Sequence, residues 1–292
     1  MKRKSNITIG TVLVYVILLL GAILCLLPVL NMIAISFSES SVAVTGTVYL
    51  IPKKFTLAAY KKLLVEGNFI RSFMISVVRV VAQLAVTMPV TVMMAYALSK
   101  NDKKFKERNV LMWYAVITML FSGGLIPTYL AVKSYKMLDT FWALILPSAL
   151  NVFNMIIMMN FFRGIPKELD EAAEMDGAGA WITLIKVYLP LSLPVMATVT
   201  LFTAVASWND FFSGMIYITN VNNYPLQTYI RSLTLDIDYG SLSPSELEER
   251  MKITGINFNA AKIMVSMIPV LVIYPFLQRY FVSGLVMGAV KE

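Results

Sequence analysis

Residues 162–194 read FRGIPKELDEAAEMDGAGAWITLIKVYLPLSLP, a segment poorly suited to lipid that stands between two long apolar runs. Its carboxylates are Glu168, Asp170, Glu171, Glu174 and Asp176. Pro166 suits the first turn of a helix, where its missing N–H costs nothing. Glu168, Asp170 and Glu171 fall in the early turns, favoured by the positive end of the helix dipole. Leu169, Ala172, Ala173 and Asp176 recur at helical spacing, so one side of this helix is small and smooth. Gly177 is placed to end it in a left-handed conformation. A second helix is expected next, with Trp181, Leu184, Ile185, Tyr188 and Leu189 on one stripe and Pro190 stopping or kinking it.

The rest of the chain is membrane in character. It has 292 residues, 58% hydrophobic and 14% charged, with a mean hydropathy of +0.71. A soluble domain of this length needs more charge to cover its surface, and several runs reach the roughly 20 residues that cross hydrocarbon as a helix. The alternating ten-residue segments of a membrane barrel are absent. The expected class is therefore an all-α integral membrane protein. With no His and only Cys25, imidazole bases, His-ligated metals, multi-Cys metal sites and intrachain disulfides are excluded. The net charge of +8 is read as inner loops facing anionic headgroups, and no nucleic-acid partner is expected.

Basic residues Lys2, Arg3 and Lys4 mark 1–10 as a cytoplasmic N-terminus. The apolar run 11–36 is too long for a signal-peptide core and reads as a retained first span. Residues 37–69 form an outer loop, and 70–281 hold the remaining five transmembrane helices. Within these, spans are expected at about 70–98, 110–132, 141–161, 191–218 and 261–281. Gly123, Gly124 and Pro127 should kink the third near its outer end. The cluster KNDKKFKER at 100–108 marks an inner loop, and residues 162–190 form another. A long outer loop, 219–259, should carry a short surface helix near Glu246, Glu248, Glu249 and Arg250. Residues 282–292 form a cytoplasmic tail. The expectation is six spans with both termini cytoplasmic.

Two readings of the 162–190 loop fit its residues. It either docks a cytoplasmic protein through its small face and Glu171, or lies as an amphipathic hairpin on the headgroups. Acidic residues favour docking, because the inner leaflet is anionic.

The run Glu171-Ala172-Ala173, then Gly177 three residues on, then nine residues, Val187, one residue and Leu189-Pro190 resembles the EAA loop of ABC importer permeases. Val187 stands where that family usually has Ile. Asp176-Gly177-Ala178 matches its DGA extension. Residues 162–169, 208–210 and the C-terminal QRYFVSGLVMGAVK (278–291) look like the maltose-type carbohydrate branch. SFSES (36–40) and residues 230–238 look closer to permeases for complex oligosaccharides, the LplC-like group. The resemblance covers essentially the whole chain.

It implies a type I permease fold in the bacterial plasma membrane, in a five-part complex. A second permease subunit, making a heterodimer, two ABC ATPase subunits and an extracytoplasmic solute-binding protein are the implied partners, besides membrane lipid. Glu171, Ala172, Ala173, Asp176, Gly177, Leu189 and Pro190 are the implied ATPase-coupling residues, and 287–292 an implied tail contact. ATP and Mg would be bound by the ATPase partners, and no cofactor or metal by this chain. No phosphate-binding loop or GxSxG elbow occurs, so the chain is not expected to be an enzyme.

Polar residues within spans are costly and usually face an interior or a wet cavity. Ser72, Ser76, Arg79, Gln83, Thr87 and Thr91 form a continuous stripe on the second span. Thr200, Thr203, Ser207 and Asp210 form another on the fifth, beside Trp208, Asn209 and Phe211. Asn151 and Asn154 lie in the fourth. Arg79, Gln83, Asn151, Asn154, Ser207, Trp208, Asn209 and Asp210 are the candidate substrate path. The alternative is polar contact between helices, and Arg79 has two further options, snorkelling outward or pairing at a subunit interface. Three functions follow: ATP-driven uptake of a carbohydrate, the same architecture serving a non-sugar solute, or a stand-alone secondary transporter or membrane signalling protein.

Overall fold

The computed structural model describes residues 9–101, 105–235 and 255–289. Among these, the named elements are all helical, the one β-type feature being an isolated antiparallel bridge between Ser38 and Phe55. The principal helices are α1 (Ile9–Ser36), α2 (Ala58–Val65), α3 (Gly67–Ser99), α4 (Arg108–Leu120), α5 (Leu125–Ser134), α6 (Val152–Arg163), α7 (Lys167–Met175), α8 (Leu193–Asn209), α9 (Phe212–Tyr217), α10 (Leu226–Leu235) and α11 (Ile256–Ala289). Helices dominate because a segment in hydrocarbon must satisfy its own backbone polar groups.

Among the described residues, three helices are long and apolar enough to cross a bilayer: residues 10–36, 67–99 and 256–275. Three bent pairs raise the number to as many as six if each pair is one span. The third span is more than kinked, since α4 and α5 meet at 116°. Gly124 takes φ 86° at the break, and Pro127 has no N–H to offer the carbonyl four residues back. The fourth expected span is also not one helix. Residues 141–144 and 146–148 are 3₁₀ turns, followed by α6 at a 49° bend. The fifth breaks at Asp210 between α8 and α9. At the C-terminus, helix continues to Ala289 rather than ending at Phe281, so most of the expected tail is helical. Glu246, Glu248, Glu249 and Arg250, and Lys2 to Lys4, lie outside the described residues, as does the end of the tail beyond Ala289.

The chain divides into two compact units, one of residues 1–67 and 233–268, the other of 68–232 and 269–292. In the first, α1 exposes its apolar side chains from Val12 to Leu30. Its end is tied down by polar and aromatic contacts: Asn31 Nδ2 donates to Val48 O at 3.0 Å, and Phe37 packs on Phe55 and Tyr60. Asn257 Nδ2 donates to Ser38 O at 3.0 Å, and Lys262 pairs with Glu66 at 3.1 Å.

The second unit has an apolar core at the C-terminal half of α3. Val92, Ala95, Tyr96 and Leu98 pack with Met155, Met158, Met159 and Phe162 of α6, with Leu184 and Tyr188, and with Val195 and Val199 of α8. At the other end, Asp139 receives the backbone N–H groups of Thr219 (3.0 Å) and Asn220 (3.3 Å). Those two bonds, Thr219 first, hold its carboxyl below the usual carboxylate range. Helix α10 enters the same region. Leu226 N donates to Ser76 Oγ at 2.7 Å and Thr228 Oγ1 to Phe211 O at 2.9 Å.

Gly214 permits that entry, since a Cβ there would lie 2.1 Å from Thr228 Oγ1. Gly214→Ala should therefore lower stability by about 1–3 kcal/mol, read as a drop in unfolding midpoint in detergent. The double variant Gly214→Ala/Thr228→Ala should lose less than the sum of the two singles. Strict additivity would show that no such close contact exists.

Candidate functional site

The polar stripe of α3 turns inward: Ser72, Ser76, Arg79, Gln83, Thr87 and Thr91 are all buried. Arg79 is only 2% exposed, so it does not snorkel. Its Nη2 forms an ion pair with Asp210 Oδ2 and donates to Leu144 O at 3.2 Å. Its Nη1 donates to Asp210 O at 3.1 Å. One guanidinium thus satisfies two main-chain carbonyls, both at interrupted helices. Leu144 lies in the 3₁₀ segment and Asp210 has extended ψ (105°) where α8 stops. Asp210 Oδ1 accepts from Ser213 N at 3.1 Å, which positions the start of α9.

One turn along α3, Gln83 repeats the pattern. Its Nε2 donates to Ser148 O at 3.1 Å and to Thr87 Oγ1 at 2.8 Å. Asn151 caps α6, its side chain accepting from Asn154 N at 3.0 Å. Asn154 Nδ2 reaches Thr203 Oγ1 of α8 at 3.5 Å.

These groups line a cavity of about 490 Å³. Of the residues expected on a path, Arg79, Gln83, Asn151, Asn154, Ser207 and Asp210 face it. Trp208 and Asn209 are not in its lining: Trp208 is buried edge-on against Phe73, centroids 5.6 Å apart, and Asn209 is exposed. The sequence reading missed Ser148 and the aromatic rings of Phe153 and Phe202, which also line the cavity. Pro147 is the signal for the free carbonyl of Leu144, because in a 3₁₀ turn the N–H that would reach it belongs to residue 147, and proline has none. Arg79 Nε and Ser207 Oγ have no partner among the described residues. Hydroxyl and amide side chains line the cavity beside Phe153 and Phe202, and its one close charge pair is internally balanced. That suits a polyhydroxylated molecule better than a compact ion.

A second candidate site lies at the other end of α3. Helix α7 begins after Pro166 and ends at Gly177, whose φ is 75°. Ala178 N donates to Ala173 O (2.9 Å) and Gly177 N to Glu174 O (3.0 Å), the paired bonds of a Schellman stop. Leu169, Glu171, Ala172 and Asp176 are exposed, and no α7 side chain is fully buried. The second segment differs from expectation. After one α turn at 180–183, residues Leu184–Tyr188 form a π turn. A π turn adds a residue per turn and rotates the faces that follow. Thr183, Leu184 and Tyr188 are consequently buried, whereas Trp181 and Ile185 of the expected stripe stay exposed. Leu189 and Pro190 lie in the last turn before the chain bends by 82° into α8.

Residues 63–287 match the family model "Binding-protein-dependent transport system inner membrane component". The chain is 40% identical over 279 residues to the polygalacturonan/rhamnogalacturonan transport system permease protein YtcP of Bacillus subtilis, covering 96% of this chain and 97% of that one. It is 42% identical over 277 residues to protein LplC of the same organism, covering 94% and 93%. A chain in the crystal structure of a bacterial ABC transporter involved in the import of the acidic polysaccharide alginate is similar throughout. There the TM-score is 0.85 at 30% identity, over 96% of this chain and 99% of that one.

The buried pair gives a stability prediction. Arg79→Met should strand a desolvated carboxylate and two carbonyls, at a cost of about 3 kcal/mol, the lower end of the range for one-sided loss because Asp210 retains cavity contact. Adding Asp210→Leu should recover part of it. Unfolding in lipid micelles reads both, and additive losses would show that the two side chains act independently.

Proposed function

The chain belongs to the family of binding-protein-dependent transport system inner membrane components, and from that premise we propose that it is a permease subunit importing an oligosaccharide across the bacterial plasma membrane. The observation that carries the reading is full-length similarity, at 40% identity, to a permease for polygalacturonan and rhamnogalacturonan. The cavity chemistry supports it. Neutral donors and acceptors beside Phe153 and Phe202 match the hydroxyls and apolar ring faces of sugars. Arg79, Gln83, Asn151, Asn154, Ser207 and Asp210 form this chain's share of the path, and Trp208 supports it by packing.

The reading includes six spans, at about 11–36, 70–98, 110–132, 141–161, 191–218 and 261–281, with both termini cytoplasmic. It includes a second permease subunit, two ATPase subunits that bind ATP and Mg, and a solute-binding protein outside. In this arrangement Glu171, Ala172, Ala173, Asp176, Gly177, Leu189 and Pro190 couple the spans to the ATPases. The exposed small face of α7 and the exposed Trp181 and Ile185 suit docking into a protein cleft. Closure of the ATPase pair would push on these segments, and the α7 stop at Gly177 would pass the push to the second one without bending.

Uptake of a labelled oligosaccharide panel by the reconstituted complex tests the function. Import should require ATP, the ATPases and the binding protein, whereas import by this chain alone would support a secondary transporter. Gly177→Pro should abolish uptake while leaving membrane insertion intact, because proline cannot adopt φ 75° and lacks the N–H given to Glu174 O. Normal uptake in that variant would remove the coupling role of the turn. Glu171→Lys should reduce the ATPase recovered on co-purification, and unchanged recovery would exclude Glu171 from the contact.

A further inference from the structure

The basic run at 100–108 reads in sequence as charge facing lipid headgroups, but its first residue points the other way. Lys100 follows the last residue of α3, and its side chain is only 15% exposed. Its ammonium lies 2.6 Å from Asp170 Oδ1 of α7 and 3.1 Å from Tyr188 Oη of the π turn. It also lies over two aromatic faces, 4.2 Å from the Tyr96 centroid and 4.3 Å from that of Tyr188. An ammonium has three donors and attracts ring faces electrostatically, so this environment is built around a cation.

The neighbouring contacts point to the same place. Arg108 Nε (2.9 Å) and Arg163 Nη2 (3.2 Å) both donate to Leu98 O, placing positive charge where the helix dipole of α3 is negative. Tyr96, Phe162 and Tyr188 pack mutually edge-on, with centroid separations of 6.4, 4.9 and 5.5 Å. Helix α7, by contrast, has no fully buried side chain. Apolar packing therefore does not fix its position, and the carboxylate of Asp170 is its reach toward α3.

Resting on the importer reading above, we propose that Lys100 is the positioning residue that joins both coupling segments to α3, so that displacement of the coupling loop reaches the cavity. Asp170 carries the displacement of α7 and Tyr188 that of the π turn. Lys100 receives both, and α3 is the uninterrupted helix between them and Arg79. At 1.5 Å per residue, that separation is about 30 Å. Because Arg79 grips Leu144 O and Asp210 O, an axial shift of α3 acts directly on two of the broken spans that shape the cavity.

The test uses the complete transporter in proteoliposomes with its loaded binding protein, and reads oligosaccharide imported per ATP hydrolysed. Lys100→Met and Asp170→Asn should each reduce this ratio about tenfold, a coupling loss within the range typical between distant sites, while hydrolysis continues and the ATPases stay bound. Tyr188→Phe, which keeps the ring and removes one acceptor, should reduce it about two- to threefold. Asp170→Glu, which keeps a carboxylate for the ammonium, should lose less than Asp170→Asn, which a merely structural disturbance would not allow. If Lys100→Met fails to assemble, Asp170→Asn and Tyr188→Phe decide. Wild-type ratios in both overturn the joint while leaving the importer reading intact. A wild-type complex that imports nothing with ATP overturns the importer reading, and the joint with it.

Discussion

A carbonyl or N–H released inside hydrocarbon must find another partner, and each one that does not costs several kcal/mol. Much of the second unit follows from how this chain meets that demand. Its spans are interrupted near Leu144 and at Asp210, and one guanidinium answers for both breaks. The charge of the guanidinium is balanced by the carboxylate of the same Asp210 whose main chain it satisfies. Gln83 does a smaller version of this with Ser148. The interruptions are therefore fixed pieces of geometry, and a cavity can be held open beside them.

That solution requires one helix that is not interrupted. Helix α3 runs 33 residues with Pro89 inside it, and it supplies both Arg79 and Gln83. Its two halves do different work. The first presents polar side chains to broken backbones, whereas the second presents Val92, Ala95, Tyr96 and Leu98 to a dry core. Glycine acts where elements must come close, and at Gly214 the absence of a Cβ lets α10 seat Thr228 over the α8–α9 break.

The helical class, the approximate limits of α1 and α3, and the inward stripe were legible because each depends on a local pattern of apolar and polar residues. The α7 stop was legible because glycine at that position has one main structural meaning. The breaks were harder. Gly123, Gly124 and Pro127 announced a kink but not a 116° turn, since the angle depends on what packs against each half. Pro147 sits within an apolar run and was read through, so Leu144 was missed as an acceptor. The π turn at Leu184–Tyr188 has no local signature. It rotates Trp181 and Ile185 away from the face that Leu184 and Tyr188 share, and only tertiary packing of Tyr188 against Tyr96 and Phe162 explains its placement. Trp208 was not legible in the same way, because an aromatic residue beside a polar stripe reads as part of the path whereas its ring packs edge-on with Phe73.

The balanced charge of the cavity also bears on what selects the solute. Arg79 is the one cation lining the cavity among the described residues, and Asp210 neutralises it at contact distance. A carboxylate on an incoming sugar would have to compete with Asp210 for that guanidinium, and would strand a buried charge if it won. What remains available, the exposed side chains of Ser148 and Asn151 in the lining, recognises hydroxyl groups regardless of the charge elsewhere on the ring. In the proposed importer, discrimination between acidic and neutral oligosaccharides therefore falls to surfaces outside this half of the path.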